Sequence, residues 1–166
     1  MKTKRGQLKK GFFVLFIIAA IILTGYLRDS VFKTINALLR AWDLDQDYPL
    51  PAYMSFLNTY EYDTIVRIKW LLTFAVSILY FSITLITIKI LFNQKKYLKI
   101  TVFTYAGILL FSALFIGIGF MFSSLSEKMY GFARYLMGMA QSPIILMILI
   151  PAFKISEKEN KKTTIL

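Results

Sequence analysis

Four long apolar runs dominate this chain of 166 residues and constrain its fold more than any other feature. They cover residues 11–27, 70–92, 100–125 and 131–153, within a residue or two. Each is near the length of about 20 residues that an α-helix needs to cross a hydrocarbon core of about 30 Å. Because a membrane span must satisfy its own backbone hydrogen bonds, we predict an all-α membrane protein with four transmembrane helices in a single integral membrane domain.

The first and fourth runs are less regular than the two between them. The first follows the basic leader MKTKRGQLKKG and has no small-x-small cleavage pattern before Arg28, so we expect an uncleaved anchor rather than a signal peptide. The fourth contains Pro143 and Pro151. Because proline removes a backbone donor, we expect this span to be kinked or to start only near Tyr135.

The basic residues predict the orientation of these spans. With the N-terminus in the cytoplasm, thirteen of the 20 Lys and Arg residues fall on the cytoplasmic side and seven on the outer side. Short loops rich in Lys and Arg stay in the cytoplasm, so we expect both termini there, in a multi-pass protein of a bacterial inner membrane. The net charge of +11 then faces the anionic inner leaflet and requires no nucleic-acid partner.

The chain contains neither Cys nor His. This excludes thiol nucleophiles, disulfides and most zinc, haem and iron–sulfur ligation, and it removes the commonest general base. A Ser–Lys dyad would need a lysine deep in the fold, whereas Lys89 lies near the end of its run. We therefore predict a non-enzymatic protein without a cofactor.

Residues 28–69 form the predicted outer loop, and its first part has a helical period. Apolar side chains recur on one side at Val31, Ile35, Leu38, Leu39 and Trp42, and Ser30 can cap the start. One interpretation is an amphipathic interfacial helix on the outer face of the membrane. The other is a short helix packed on the ends of the bundle.

A second amphipathic stretch, 52–63, is rich in aromatic residues: Tyr53, Phe56, Tyr60 and Tyr62. Such rings favour the boundary between water and lipid, so an interfacial belt is one interpretation and a partner-binding surface is the other. Trp42, Tyr60 and Arg67 are the candidate partner-binding residues of the outer loop.

Three acidic residues, Asp43, Asp45 and Asp47, alternate between the two stretches. A calcium loop begins in this way, but it needs Gly at its sixth and Glu at its twelfth position, where this chain has Tyr48 and Met54. An Asp-x-Asp pair also occurs in membrane glycosyltransferases, which build their sites from many more spans. The three acids are therefore weak metal candidates, and a solvated acidic turn at a helix end is the alternative.

Polar and small residues follow stripes along the second and third runs. The second has Thr73, Ser77, Tyr80 and Thr84 on one face, and the third has Ala113 four residues before Gly117 and Gly119 four before Ser123. Both patterns are typical of helix packing in lipid, where an interhelical hydrogen bond contributes about 0.6 kcal/mol. We expect a structural role for them.

The fourth run differs because a cation and an amide share one face. Arg134, Gly138 and Gln141 follow the spacing i, i+4, i+7. A charge in a membrane helix marks a functional or inter-subunit contact, unless it lies near the end and snorkels to the headgroups. Gln141 lies deeper, so we expect it to find a hydrogen-bond partner in either case.

Several of these residues together resemble the small exosortase-associated membrane proteins of Bacteroidota, the exosortase F-system-associated and related families. The matching parts are the outer-loop PLP at Pro49–Pro51, Arg67 before the second span, and the closing segment ARYLMGMAQSPIILMILIPAFK from Ala133 to Lys154. The resemblance covers most of the chain in length and in the layout of its spans.

The resemblance implies accessory work beside an exosortase, which supplies a cysteine-based transpeptidase site in the membrane. This chain would sit in the lipid bilayer and bind that polytopic partner through its candidate residues Arg134, Gly138, Gln141, Arg67, Trp42 and Tyr60. The alternative is a self-assembling small pore, holin-like or transporter-like. A pore would need a continuous polar face along at least one helix, and only the Thr73–Thr84 stripe comes near this.

Overall fold

The computed structural model describes residues 2–122 and 126–163, which form five α-helices and one 3₁₀ helix. In chain order these are α1 (Lys2–Asp43), the 3₁₀ helix (Ala52–Thr59), α2 (Tyr62–Phe92), α3 (Lys95–Met121), α4 (Ser126–Ala140) and α5 (Ile144–Thr163). The described residues contain no strand, so the predicted all-α fold is confirmed. The chain divides into two compact units, unit 1 (Met1–Val76) and unit 2 (Ser77–Leu166).

The described residues supply three to four candidate membrane spans. Leu15–Asp43, Tyr62–Phe92 and Lys95–Met121 are each long and apolar enough to cross a membrane. α4 and α5 meet at a bend of 62° and together can form a fourth. The bend falls at 141–143, where Pro143 has no backbone N–H, as the sequence predicts. Residues 123–125, at the end of the third predicted span, lie outside the described residues.

The predicted boundary between a first span and a separate interfacial helix is wrong. α1 continues past Leu27 and Val31 to Asp43 as one helix of 42 residues. At a rise of about 1.5 Å per residue it is about 63 Å long, roughly twice the hydrocarbon thickness. Ser30 therefore caps no helix, and its hydroxyl instead lies 3.0 Å from the hydroxyl of Tyr53.

The amphipathic part of α1 packs into a small core within unit 1. The buried members of this core are Ile35, Leu38 and Leu39 of α1, Met54 and Leu57 of the 3₁₀ helix, and Ile65 of α2. Ile65 is 0% exposed and lies in the first turn of α2, which begins at Tyr62, before the apolar run that starts at Trp70. Of the predicted outer loop, only residues 44–61 lie outside α1 and α2.

Aromatic pairs join the helices of unit 2. The rings of Phe81 in α2 and Tyr105 in α3 are 5.0 Å apart, centroid to centroid. Phe115 in α3 stacks on Phe132 in α4 at 5.8 Å, and Tyr97 in α3 lies 4.5 Å from Phe153 in α5. α3 therefore contacts each of the other helices of this unit.

Candidate functional site

The hydroxyl stripe of α2 is used for packing inside the chain. Ser77, Tyr80 and Thr84 are buried, and Thr73 is half-buried. Thr84 Oγ1 donates to the Tyr80 carbonyl at 2.8 Å and lies 3.0 Å from the hydroxyl of Tyr105. Because Thr84 has one hydroxyl proton, Tyr105 is the donor in the second bond. The structural role predicted for this stripe is confirmed.

One face of α4 is buried against the other helices of unit 2, and we call it the closed face. Ala133 and Ala140, seven residues apart and thus on the same side of the helix, are 1% and 0% exposed. The ring of Phe132 lies almost parallel to that of Phe115, at an angle of 27°. Small side chains let helices approach closely in lipid, so the two alanines suit a closed surface.

The other side of α4 carries cationic, aromatic and small residues, and all of them except the half-buried Gly138 are exposed in the described part of the chain. We call this side the open face and define it by Lys128, Gly131, Arg134, Tyr135 and Gly138. Tyr135 is 70% exposed, and Arg134 is exposed beside it. A Cβ atom added at Gly131 or Gly138 would meet no atom within 4 Å. A shallow depression of about 430 Å³ along this face is lined by Lys128, Gly131, Phe132 and Tyr135.

The open face combines three kinds of group that are common where membrane helices meet. An arginine in a hydrocarbon environment is costly unless an acceptor, a counter-charge or water reaches it. Glycines let a second backbone approach closely, and an exposed aromatic ring offers a large contact area at a low entropic cost. A helix that carries an acidic or carbonyl acceptor opposite Arg134 would satisfy all three features at once.

Gln141 does not belong to the open face, although the sequence places it on the same stripe as Arg134. α4 ends at Ala140, and Gln141 is only 4% exposed at the bend that follows. Its backbone N–H still bonds the Met137 carbonyl at 3.1 Å, and the Ser142 hydroxyl donates to the Met139 carbonyl at 2.9 Å. Arg134 is therefore at the surface, whereas Gln141 lies inside the bend.

The other three candidate residues belong to unit 1. Trp42 is half-buried and packs against the core of this unit, with its ring 5.9 Å from that of Tyr62. Tyr60 is 43% exposed, and Arg67 on α2 is also exposed. Trp42 thus has a structural role, while Tyr60 and Arg67 are accessible from outside the chain.

The acidic candidates terminate α1 rather than meet at a metal site. Asp45 has a φ of 53°, its N–H bonds the Trp42 carbonyl at 3.2 Å, and the next N–H bonds the Ala41 carbonyl at 2.8 Å. This is the Schellman pattern of a helix C-terminus. The Asp43 carboxylate lies near the Tyr62 side chain at the start of α2. The acids therefore lie at a turn that ends α1, and among the described residues no group of three acidic side chains, Asp47 included, is placed to hold a metal ion.

The sequence pattern does not single out Lys128, Gly131 and Tyr135. Their spacing with Gly138 is i, i+3, i+7, i+10, which does place them on one side of a helix. The sequence of α4 does not show which of its sides packs on α3. That depends on contacts between the two helices, such as the stacking of Phe115 on Phe132.

No family model matches the chain, and neither a curated protein nor a solved structure matches it. The resemblance to exosortase-associated proteins therefore depends on the sequence motifs alone and stays a prediction.

Proposed function

We propose that this chain is a non-enzymatic accessory subunit that binds a polytopic membrane protein through the open face of α4. The observation that carries the proposal is the exposed guanidinium of Arg134 beside Gly138, on a helix that belongs to a candidate span. A cation in a membrane helix needs a hydrogen-bond acceptor, and the residues of the open face do not supply one.

Two kinds of acceptor are available to a membrane arginine, and the glycines favour one of them. Snorkelling would bring the guanidinium to lipid headgroups and would need no particular neighbours. Gly131 and Gly138, in contrast, leave open space where a helix can approach, since an added Cβ would meet no atom within 4 Å at either position. A protein partner accounts for the arginine and for both glycines.

For the partner we propose an exosortase-type transpeptidase in a bacterial inner membrane. The support comes from the sequence: the closing segment Ala133–Lys154, the PLP at Pro49–Pro51, and the lack of Cys and His in a chain that would work beside a cysteine enzyme. The distribution of Lys and Arg supports a cytoplasmic location for both termini. The chain would assist protein sorting, and its partner would carry out the chemistry.

The self-assembling pore has less support. Its best candidate lining is the Thr73–Thr84 stripe, yet Ser77, Tyr80 and Thr84 are buried. The hydroxyl of Thr84 is already bonded to its own helix and to Tyr105. Hydroxyls that are buried and already hydrogen-bonded are not free to coordinate a permeating ion or solute.

Affinity purification after mild crosslinking tests the proposal. The tagged full chain is compared with Arg134→Leu and with Arg40→Leu, a matched control because Arg40 is exposed on α1 and lies outside the candidate residues. We expect one stoichiometric polytopic protein with the unchanged chain and with the control. Arg134→Leu should lower its recovery at least about tenfold at equal protein level, since the partner's acceptor loses its counter-charge.

Two results would overturn the proposal. Normal recovery of the partner with Arg134→Leu would leave Arg134 as a headgroup anchor. Recovery of homo-oligomers alone, together with ion flux when the purified chain is placed in liposomes, would favour the pore.

A further inference from the structure

Three aromatic rings in unit 2 bring together two basic segments that are far apart in the sequence. Phe92 at the end of α2 lies 5.3 Å from Tyr97 in α3 and 5.7 Å from Phe153 in α5, centroid to centroid. The Tyr97 and Phe153 rings are 4.5 Å apart, and both residues are buried. The first turn of α3 and the middle of α5 therefore lie side by side.

Lysines lie close in sequence to Tyr97 and to Phe153, on both of these segments. We define the lysine cluster as Lys95, Lys96 and Lys99 of α3 with Lys154 and Lys158 of α5, all of which are exposed. Glu157 and Glu159 are the acidic residues of the same part of α5. Five lysines against two glutamates leave a positive patch made from two helices.

The start of α3 adds to the positive charge of this patch. Its first turn contains Lys95 and Lys96 and no acidic residue, and Gln94 makes no side-chain capping bond. The first backbone N–H groups of a helix lack intrahelical acceptors, and the helix dipole makes that end partly positive. Lysines at this end are unfavourable unless an anion lies close by, so the local sequence favours an anionic ligand.

Apolar side chains next to the lysines identify the kind of anion. Ile100 and Ile155, each next in sequence to a lysine of the cluster, are 38% and 60% exposed. A ligand with both a negative headgroup and hydrocarbon chains fits such a border, whereas a free anion or a nucleic acid would leave the apolar side chains without a partner.

We infer that the lysine cluster binds the headgroup of an anionic phospholipid, with the acyl chains running along the apolar surface below it. The site is separate from the open face of α4 and does not depend on the proposed accessory function. Its position would fix the depth of α3 and α5 in one leaflet of the bilayer.

Native mass spectrometry of the purified full chain tests this inference, with phosphatidylglycerol and phosphatidylcholine as the titrated lipids. The variant Lys96→Gln, Lys154→Gln is compared with a control that loses the same charge, Lys33→Gln, Arg40→Gln, whose residues are also exposed. We expect the unchanged chain to retain phosphatidylglycerol in preference to phosphatidylcholine. The cluster variant should bind phosphatidylglycerol about thirtyfold more weakly and the control about as well as the unchanged chain.

Three outcomes would overturn the inference. Equal retention of the two lipids would show that the headgroup charge is not recognised. An equal loss in the control variant would mean that only the total charge matters. Displacement of phosphatidylglycerol by an equal concentration of inorganic phosphate would show that the cluster takes a free anion rather than a lipid.

Discussion

The hydroxyl stripe of α2 and the open face of α4 each follow a helical spacing in the sequence, but their surroundings in the structure differ. In the stripe, Thr84 is 2% exposed and bonded to Tyr105 at 3.0 Å. On the open face, Tyr135 is 70% exposed, and Gly138 has open space where a Cβ would be. Spacing alone therefore does not distinguish a packing surface from a binding surface.

The chemistry of the side chains explains the difference. A threonine hydroxyl can bond the carbonyl four residues earlier on its own helix, so it can be buried without help from another chain. A guanidinium has five donors and a permanent charge, which its own helix cannot satisfy in hydrocarbon. Substitutions on the closed surfaces should therefore destabilise the chain itself, whereas those on the open face should weaken only the complex.

The largest effect on the chain is expected from Ala133→Leu. Ala133 is 1% exposed, so three added carbon atoms must displace their neighbours and should lower the free energy of unfolding by about 1–3 kcal/mol. Unfolding in detergent micelles, followed by circular dichroism, measures this change. Gly131→Leu is the matched control on the same helix, and we expect little loss there because its surroundings are open. Equal losses in the two variants would contradict the division of α4 into a closed and an open face.

A smaller effect is expected from Thr84→Val. The variant keeps the shape of the side chain and removes the acceptor of Tyr105, which should lower the free energy of unfolding by about 0.6 kcal/mol. Thr104→Val serves as the control, because the Thr104 hydroxyl bonds the Ile100 carbonyl on its own helix. Ion flux through liposomes should stay at background with both variants. A change in flux specific to Thr84→Val would argue that the stripe lines a pore.

The smallest effect on the chain is expected from Gly138→Ala. The added methyl group meets no atom within 4 Å, and alanine is the better helix former, so the free energy of unfolding should stay unchanged or rise by up to about 1 kcal/mol. Recovery of the partner should nevertheless fall, because the methyl group occupies the space that a second helix needs. Gly107→Ala on α3, where the space is also open, should not lower the recovery. If Gly138→Ala recovers as much of the partner as the unchanged chain, no partner helix approaches α4 closely at Gly138.

The helices could be predicted from hydrophobicity, and the bend in the last span from Pro143. The continuity of α1 could not, because residues of its C-terminal part, such as Ile35 and Leu38, are buried in a core with Leu57 and Ile65 from later in the chain. A local pattern that includes Ser30 favours a new helix start there, and the contacts made by the distant residues override it. A helix boundary predicted from local residue spacing is therefore wrong where contacts with distant residues determine the end of the helix.

The candidate site was only partly predictable for the same reason. Arg134 and Gly138 are evident from a charge and a glycine four residues apart in an apolar run. Gln141 follows the same spacing, but the turn after Ala140 takes it into the bend, where it is 4% exposed. Which side of α4 stays open depends on how α3 packs, and no pattern within residues 126–140 contains that information.

Site-specific photocrosslinking in living cells tests the central claim most directly. A photoreactive phenylalanine analogue at Tyr135, on the open face, is compared with the same analogue at Phe103 on α3, since the two side chains are similarly exposed, at 70% and 74%. We expect position 135 to form a crosslink to one polytopic membrane protein and position 103 to form none. Crosslinks from position 135 only to lipid or to a second copy of this chain, or the same partner at both positions, would contradict the claim.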